Sequence, residues 1–246
     1  MTNIIIPMNS FDENITSEKG FLEFFLKIRE GGADGVELRR ELMSRTINLT
    51  EIGQQLQDLK LACFYSAPVP IWKEDSSLNN ADLIQVFSEA KSLGAKLVKV
   101  NLGSFKRGIS NLDALNNVLS VPFQLTVEND QTNEGGLLKN MHDFLQDARK
   151  CGTAIKMTFD LGNWEVTGQN AKNAYRKLKK EVAYLHLKNV VEENGKWSSV
   201  AIQADEWWPE MMSGIPAAPE FPFHSFSEMN DSINLLRKAG KKHVFY

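Results

Sequence analysis

The sequence predicts a single-domain α/β protein in which repeated βα units form one parallel sheet, and three observations support this fold class. Short runs of β-branched and aromatic residues alternate with amphipathic windows of helical period along the chain. The helical windows end at glycines or charged turns, as helix C-termini commonly do. The length of 246 residues suits one such domain, since α/β barrels run to about 250 residues.

Eight segments have the length and the apolar alternation of strands. They are Ile4–Met8, Gly35–Arg39, Leu61–Tyr65, Lys96–Leu102, Phe123–Asn129, Ile155–Leu161, Val182–Lys188 and the weaker Ala217–Phe221. Amphipathic windows between them predict helices at Phe21–Arg29, Glu51–Lys60, Asp82–Leu93, Leu112–Leu119, Leu137–Lys150, Ala171–Lys180 and Met229–Lys238. After the seventh strand, Asn194-Gly195 predicts a tight turn and Ala204–Met212 a helical piece.

The polar residues of the strands distinguish between two parallel architectures. An open sheet with helices on both faces has strands that are apolar on both faces. Here one face of each strand is polar, as where Val98 and Val100 alternate with Lys99. If helices cover the apolar face, the polar side chains must meet in a shared interior and gather at its C-terminal mouth. The sequence therefore predicts a closed (β/α)8 barrel, a TIM barrel, over residues 1–246; the intervening helices disfavour an antiparallel sheet with one wet face.

Composition excludes several classes of function. The net charge of -3 provides no basic field for a phosphate backbone, so a nucleic-acid partner is not expected. The apolar run Ile4–Ile6 stops at Pro7 and is too short for a membrane span or a signal peptide, so no membrane partner and a cytoplasmic location are expected. Cys63 and Cys151 are too few for a disulfide framework.

Each of the last four strands carries a potential metal ligand near its C-terminal end, on its polar face. These residues are Glu128, Asp160, His186 and Glu220, and successive members lie about 30 residues apart, one βα unit each. Three carboxylates and one imidazole suit Mn²⁺, Mg²⁺, Co²⁺ or Zn²⁺, and the lack of sulfur argues against a closed structural zinc site. The pattern predicts one divalent metal ion with open positions for substrate oxygens.

Each of these four residues also has a purely structural interpretation. The alternatives are an ion pair with Lys99 for Glu128, a turn cap for Asp160, a hydrogen-bonded core position for His186 and a surface loop for Glu220. Taken singly, each alternative is the better explanation. The repetition of an ionisable group at one position of four successive strands favours the metal site.

Five segments resemble the xylose isomerase-like TIM barrels, the sugar phosphate isomerase/epimerase superfamily. They are GVELRREL at 35–42, TVEND at 126–130, FDLGNW at 159–164, YLHLKN at 184–189 and the segment around Glu220, so the likeness covers nearly the whole chain. In that family a Glu, an Asp, a His and a Glu from late strands bind one divalent metal. The resemblance implies this role for Glu128, Asp160, His186 and Glu220, with the two glutamates as the acid/base pair.

The chemistry implied by the resemblance is proton abstraction next to a carbonyl through an enediolate. The expected activity is a metal-dependent isomerase or epimerase, and the expected partner is a small-molecule sugar or sugar acid, with a homo-oligomer possible. By this interpretation Lys188 contacts a substrate oxygen or orients a carboxylate.

Other residues on the polar faces are candidates for substrate binding. Arg39 could bind an anionic group or pair with Glu37, and pairing is favoured. Asn101 faces the same interior, and Trp164 could form a wall against a sugar ring or pack in the core. Asn163 stands where many relatives carry a histidine, so any proton chemistry of that histidine does not transfer to this chain.

Three alternatives remain open. An enediolate with a leaving group on the next carbon can eliminate, which would make the protein a dehydratase or lyase acting on a keto-sugar or an inosose. A relative that cleaves DNA at abasic sites uses three zinc ions, but the four histidines of this chain are too few for that cluster. A barrel that only binds a ligand is the non-enzymatic alternative, motivated by Asn163.

Overall fold

Eight parallel strands form a nearly closed barrel in the computed structural model, which describes residues 2–11, 18–204, 206–212 and 214–242. The barrel strands are β1 (Ile5–Pro7), β2 (Gly35–Arg39), β3 (Ala62–Trp72), β4 (Leu97–Gly103), β5 (Gln124–Glu128), β6 (Ile155–Asp160), β7 (Val182–Leu187) and β10 (Ala217–Pro219). They are neighbours in that order, and a parallel bridge between Ile4 and Ala217 joins the two ends. The predicted (β/α)8 barrel is confirmed.

Eight α-helices of the described ranges connect these strands. They are α1 (Glu18–Glu30), α2 (Leu49–Asp58), α3 (Asn80–Ser92), α4 (Leu112–Val118), α5 (Leu138–Lys150), α6 (Leu161–Val166), α7 (Ala171–Leu178) and α8 (Phe226–Lys242). Short 3-10 helices lie at Met8–Ser10, Arg40–Leu42 and Trp208–Met211. None of the described helices is both long enough and apolar enough to span a membrane.

The predicted turn at Asn194-Gly195 joins a hairpin of β8 (Asn189–Glu193) and β9 (Lys196–Val200). Asn194 and Gly195 have φ values of 52° and 76°, the two positive angles that a type I′ turn requires. The hairpin begins directly after β7 and therefore leaves the barrel at its C-terminal end.

Three elements differ from the sequence prediction. Strand β3 continues past Tyr65 to Trp72, because a shift of register between Ser66 and Pro70 accommodates prolines that cannot donate to the ladder. Helix α6 was not predicted, since six residues are too few to show a helical period. Of the predicted piece at Ala204–Met212, which includes Asp205 outside the described residues, the described part contains only the 3-10 helix Trp208–Met211.

The barrel interior below the C-terminal mouth is filled by apolar side chains. Ile5, Phe64, Leu97, Tyr184 and Ala218 form a separate buried cluster there. The rings of Phe64 and Tyr184 meet edge to face, with their centroids 4.8 Å apart. This layer closes the barrel from below, so the inward polar side chains collect above it.

Gly53→Ala tests the contact between α2 and α3. A Cβ atom at Gly53 would lie 2.7 Å from the carbonyl oxygen of Leu93, which caps α3. Alanine ordinarily stabilises a helix relative to glycine by about 1 kcal/mol, but a clash with backbone outweighs this gain. We expect the free energy of unfolding in urea to fall by about 1 to 2 kcal/mol. Gln57→Ala, exposed on the same helix, is the control and should change it by less than about 0.5 kcal/mol.

Candidate metal centre

Four ionisable side chains meet at the C-terminal ends of the last four barrel strands. Glu128 and Asp160 end β5 and β6, His186 lies in β7, and Glu220 directly follows β10. Asp160 and His186 are partners in the register of β6 and β7, and both are fully buried. One potential ligand atom from each of the four lies within 4.8 Å of the others, so this buried group could bind a metal ion.

Two of the distances within this cluster are close to the spacing of ligands around a single ion. His186 Nδ1 lies 2.9 Å from Glu128 Oε1, 3.1 Å from Glu220 Oε2 and 3.7 Å from Asp160 Oδ2. Atoms bound at about 2.1 Å to one ion are roughly 3.0 to 3.4 Å apart at right-angled or tetrahedral positions. Glu128 Oε1, Asp160 Oδ2 and His186 Nδ1 are buried and face one another, and Lys188 Nζ lies 2.7 Å from Asp160 Oδ2. A shared cation would satisfy all three atoms.

Protein donors hold the other oxygen of Glu128 and of Asp160. Lys99 Nζ donates to Glu128 Oε2 at 2.7 Å. The backbone N–H of Asn163, in α6, donates to Asp160 Oδ1 at 2.9 Å, so Asp160 also caps that helix. The ion pair and the turn cap considered as structural alternatives are therefore both present. They use the outer oxygens and leave Glu128 Oε1 and Asp160 Oδ2 facing the centre of the cluster.

His186 and Glu220 also have one atom held by another protein group and one atom facing the cluster. His186 Nε2 lies 2.7 Å from Glu37 Oε2, which leaves Nδ1 facing the cluster. Glu220 Oε1 accepts hydrogen bonds from Arg39 Nη1 at 2.9 Å and from Asn9 Nδ2 at 3.2 Å. Glu220 is 6% exposed, so the surface-loop alternative for it is wrong. Outer hydrogen bonds of this kind orient the ligands of metal sites and tune their affinity.

Lys188 contacts the carboxylate oxygens that face the centre of the cluster. Its Nζ lies 2.7 Å from Asp160 Oδ2 and 2.7 Å from Glu220 Oε2. The aliphatic part of the side chain packs over the backbone of Gly162, where an added Cβ would come within 2.7 Å of Lys188 Cγ. Glycine at this position therefore allows Lys188 to reach the two carboxylates.

The electrostatics of the cluster keep most of its carboxylates charged. Burial alone would raise the pKa of Glu128, but the charges of Lys99 and His186 lower it to about 2. For Glu220 the positive charges of His186 and Lys188 similarly outweigh burial and hold the pKa well below its usual range. Burial raises the pKa of Asp160 despite the proximity of Lys188.

The imidazole of His186 has the opposite shift. Burial would lower its pKa, but the negative charges of Glu220 and Glu37 raise it well above its ordinary value. The ring therefore favours the protonated form when both nitrogens face carboxylates. Binding of a metal at Nδ1 would have to displace one proton.

The substrate-binding candidates occupy different surroundings. Arg39 Nη1 lies 3.0 Å from Glu37 Oε1, so the favoured pairing of these two residues is present. Asn101 is half-buried and is the register partner of Glu128. Trp164 is fully buried and packs on Phe159, with ring centroids 5.9 Å apart, which favours core packing over contact with a sugar.

Asn163 connects two loops of the site. Its Nδ2 donates to the carbonyl oxygen of Asn129 at 2.9 Å, and its Oδ1 accepts from Gln131 Nε2 at 3.0 Å. Asn163 is buried, and its side chain ties the segment after β5 to α6. The structure thus gives this residue a positioning contact next to Asp160.

Three residues of the site were not identified from the sequence. Asn129 Nδ2 donates to the Asp160 carbonyl oxygen, and Asn129 Oδ1 accepts from the Asp160 N–H, both at 2.8 Å. Asn9 reaches Glu220 from the segment after β1. Tyr184 packs edge to face against His186 from below, with ring centroids 4.8 Å apart. A polar residue directly after a strand end was a usable signal for Asn129, whereas Asn9 belongs to no repeated pattern.

The sequence matches no family model and no curated protein. Solved structures do match it over nearly its whole length. A structure of L-ribulose 3-epimerase is 14% identical, with a TM-score of 0.70 over 100% of this chain and 93% of that chain. A xylose isomerase domain containing protein from Salmonella typhimurium LT2 is 15% identical, with a TM-score of 0.70 over 98% and 97% of the chains.

A third structure, of IolI protein with a binding zinc atom, is 13% identical and has a TM-score of 0.69 over 100% of both chains. At these identities the likeness establishes the fold. The chain has the fold of the xylose isomerase-like TIM barrels, as the resemblance of its five segments implied.

Proposed function

We propose that the protein is a divalent-metal-dependent isomerase or epimerase that moves a proton next to the carbonyl of a sugar or sugar acid. One observation carries this proposal. Four side chains from successive strands each direct one atom to a common centre while protein groups hold the other atom. The sugar epimerase and the zinc-containing protein among the structures of the same fold support it.

Four atoms would hold the metal, which is Mn²⁺, Mg²⁺, Zn²⁺ or Co²⁺. They are Glu128 Oε1, Asp160 Oδ2, His186 Nδ1 and Glu220 Oε2. The carboxylates and the imidazole are suitable donors for a hard or borderline cation. A bound ion would polarise the substrate carbonyl and stabilise the negative charge that develops on its oxygen.

Glu128 and Glu220 are the proposed proton-transfer groups. Their strands, β5 and β10, lie three positions apart around the barrel, so the two carboxylates approach the centre from different directions. Their low pKa values keep both in the basic form at neutral pH. One carboxylate accepts the proton and the other returns it. Return to the opposite face of the same carbon gives epimerisation, and return to the adjacent carbon gives isomerisation.

The side chains around this pair are proposed to bind substrate oxygens. Asn101 is half-buried beside Glu128, and the guanidinium of Arg39 lies at the mouth with 16% of its side chain exposed. Lys188 is placed to contact a substrate oxygen when it is not held by carboxylates. The apolar layer below the cluster excludes water from one side of the site.

Exchange of substrate hydrogen with solvent tests the proposal. The metal-loaded protein is incubated in D₂O with a panel of ketoses, aldoses and keto acids, and the recovered compounds are analysed by NMR. We expect deuterium at the carbon next to the carbonyl of at least one compound, without loss of water. An enone product would indicate the dehydratase alternative, and metal binding without exchange on any compound would favour a barrel that only binds a ligand.

Metal affinity is expected to rise with pH. A protonated His186 must lose its proton before Nδ1 can bind the ion, because the carboxylates raise its pKa in the folded protein. The dissociation constant for Mn²⁺ should therefore fall by up to about tenfold for each pH unit between about pH 6 and pH 8. Isothermal titration calorimetry in buffers of different ionisation enthalpy measures both the constant and the released proton. Affinity that does not change with pH would contradict this linkage.

A further inference from the structure

Lys188 differs from the other cations of the cluster in the oxygens that it contacts. Lys99 and Arg39 bind the outer oxygens of Glu128 and Glu220. Among the described lysines and arginines, Lys188 is the one that contacts the inward oxygens, Asp160 Oδ2 and Glu220 Oε2. These two atoms belong to the set whose spacing fits a single metal ion.

A bound metal ion and the Lys188 ammonium cannot share these oxygens without strong electrostatic repulsion. An ion bound at about 2.1 Å to both oxygens would lie less than about 5 Å from an ammonium that stays at hydrogen-bond distance. The surrounding residues are buried, so water does not screen this repulsion. Both oxygens would also have to divide their lone pairs between the two cations.

We propose that Lys188 is an internal competitor of the metal, and that its ammonium must release Asp160 and Glu220 when the ion binds. This inference rests on the proposed metal-dependent function. Lys188 thereby sets the affinity for metal: it neutralises the buried carboxylates before the ion arrives and raises the concentration of metal needed for loading.

The position of Lys188 allows this exchange. Its side chain is 8% exposed, whereas that of Asp160 is 0% exposed, so the lysine is the less deeply buried of the two. Four rotatable bonds let a lysine ammonium swing away without movement of the backbone. The released ammonium would then be free to contact a substrate oxygen.

Calorimetric titration with MnCl₂ tests the competition. The protein is first treated with a chelator, and the chelator is removed before the titration. Three proteins are compared, the wild type, Lys188→Met and Lys99→Met. Lys188→Met should bind Mn²⁺ at least tenfold more tightly than the wild type. Lys99→Met also removes one positive charge but acts on the outer oxygen of Glu128, so it should bind Mn²⁺ no more than threefold more tightly than the wild type and can bind it more weakly. Equal or weaker binding by Lys188→Met would overturn the inference.

Two further measurements keep the test decisive if Lys188→Met folds poorly. Lys188→Arg keeps a cation on the same carboxylates and should bind Mn²⁺ no more tightly than the wild type; a tenfold gain would count against competition. A crystal structure of the Mn²⁺-loaded wild type should place Lys188 Nζ beyond 4 Å from both Asp160 Oδ2 and Glu220 Oε2. Retention of either contact beside a bound ion would overturn the inference.

The outcomes separate this inference from the proposed function. If the wild type binds Mn²⁺ and Lys188→Met binds it no more tightly, the metal-dependent function stands and the competition is wrong. If neither protein binds Mn²⁺, Zn²⁺ or Co²⁺ at millimolar concentration, both proposals are wrong. If only Lys188→Met binds metal, the competition is supported and the metal dependence of the natural protein is overturned.

Discussion

His186→Ala is expected to remove metal from the protein. The substitution deletes the one nitrogen among the four proposed ligands, whose Nδ1 lies 2.9 to 3.7 Å from a carboxylate oxygen of each of the other three. It also leaves Oε2 of Glu37, a residue that is 1% exposed, without the imidazole contact. Loss of one ligand together with its orienting contact should weaken metal affinity by at least about 100-fold. Metal content after gel filtration, measured by mass spectrometry, should fall from about one ion per chain to less than a tenth.

A second histidine provides the matched control for this experiment. His142 lies on α5, and 45% of its side chain is exposed, so His142→Ala should keep the metal content of the wild type. Glu37→Gln provides a variant in which all four ligands remain. It should weaken affinity by about 10- to 100-fold, because an amide orients the imidazole less strongly than a carboxylate does. Equal metal in the wild type and His186→Ala would contradict the site assignment.

The barrel could be predicted because the alternation of its strands is strict. Leu185 and Leu187 face the helices while Tyr184, His186 and Lys188 face the interior, and the structure places them so. Parallel strands in a barrel bring their carboxyl ends to one mouth, so residues one βα unit apart in sequence become neighbours. That geometric rule places the four proposed ligands at one end of the barrel.

The assignment of individual atoms could not be predicted. Sequence patterns indicate which residue faces inward, but the rotamer and the partner of each oxygen depend on groups from distant strands. Asp160 shows this clearly, because it ends β6, caps α6 through Oδ1 and offers Oδ2 to the cluster. The structural and the functional interpretations had been treated as alternatives. In the folded protein the cap uses Oδ1 of Asp160, which leaves Oδ2 for the proposed metal site.

The elements that sequence reasoning missed have little repeated pattern. Helix α6 makes fewer than two turns, and its clearest sequence signal was Asp160, which had already been assigned to a strand. The extension of β3 passes through Pro68 and Pro70, residues that ordinarily end a strand. Lys188 is predicted from the sequence to contact a substrate oxygen or to orient a carboxylate, but which carboxylates it contacts depends on packing over Gly162, which the sequence does not reveal.

Glu128→Gln is expected to abolish proton transfer while leaving the fold intact. The amide has nearly the same shape as the carboxylate but cannot accept a proton at neutral pH. Metal affinity should also fall, so the variant is assayed at saturating Mn²⁺ to separate loss of binding from loss of chemistry. With any compound that exchanges hydrogen in the wild type, the rate of deuterium incorporation should fall by about 10³-fold or more, within the range that acid–base groups contribute.

Glu134→Gln is the control for this substitution, since Glu134 is exposed in the segment after β5 and lies outside the cluster. Glu134→Gln should incorporate deuterium at the wild-type rate.

The carboxylate of Glu128 is held by Lys99 through one oxygen, and Lys99 Nζ would face an uncharged amide in Glu128→Gln. A buried lysine without its partner is costly, so a modest decrease in stability should accompany the loss of exchange. Exchange at the wild-type rate with metal bound would show that Glu128 holds the metal but does not move the proton, and would assign that step to Glu220 or to another base.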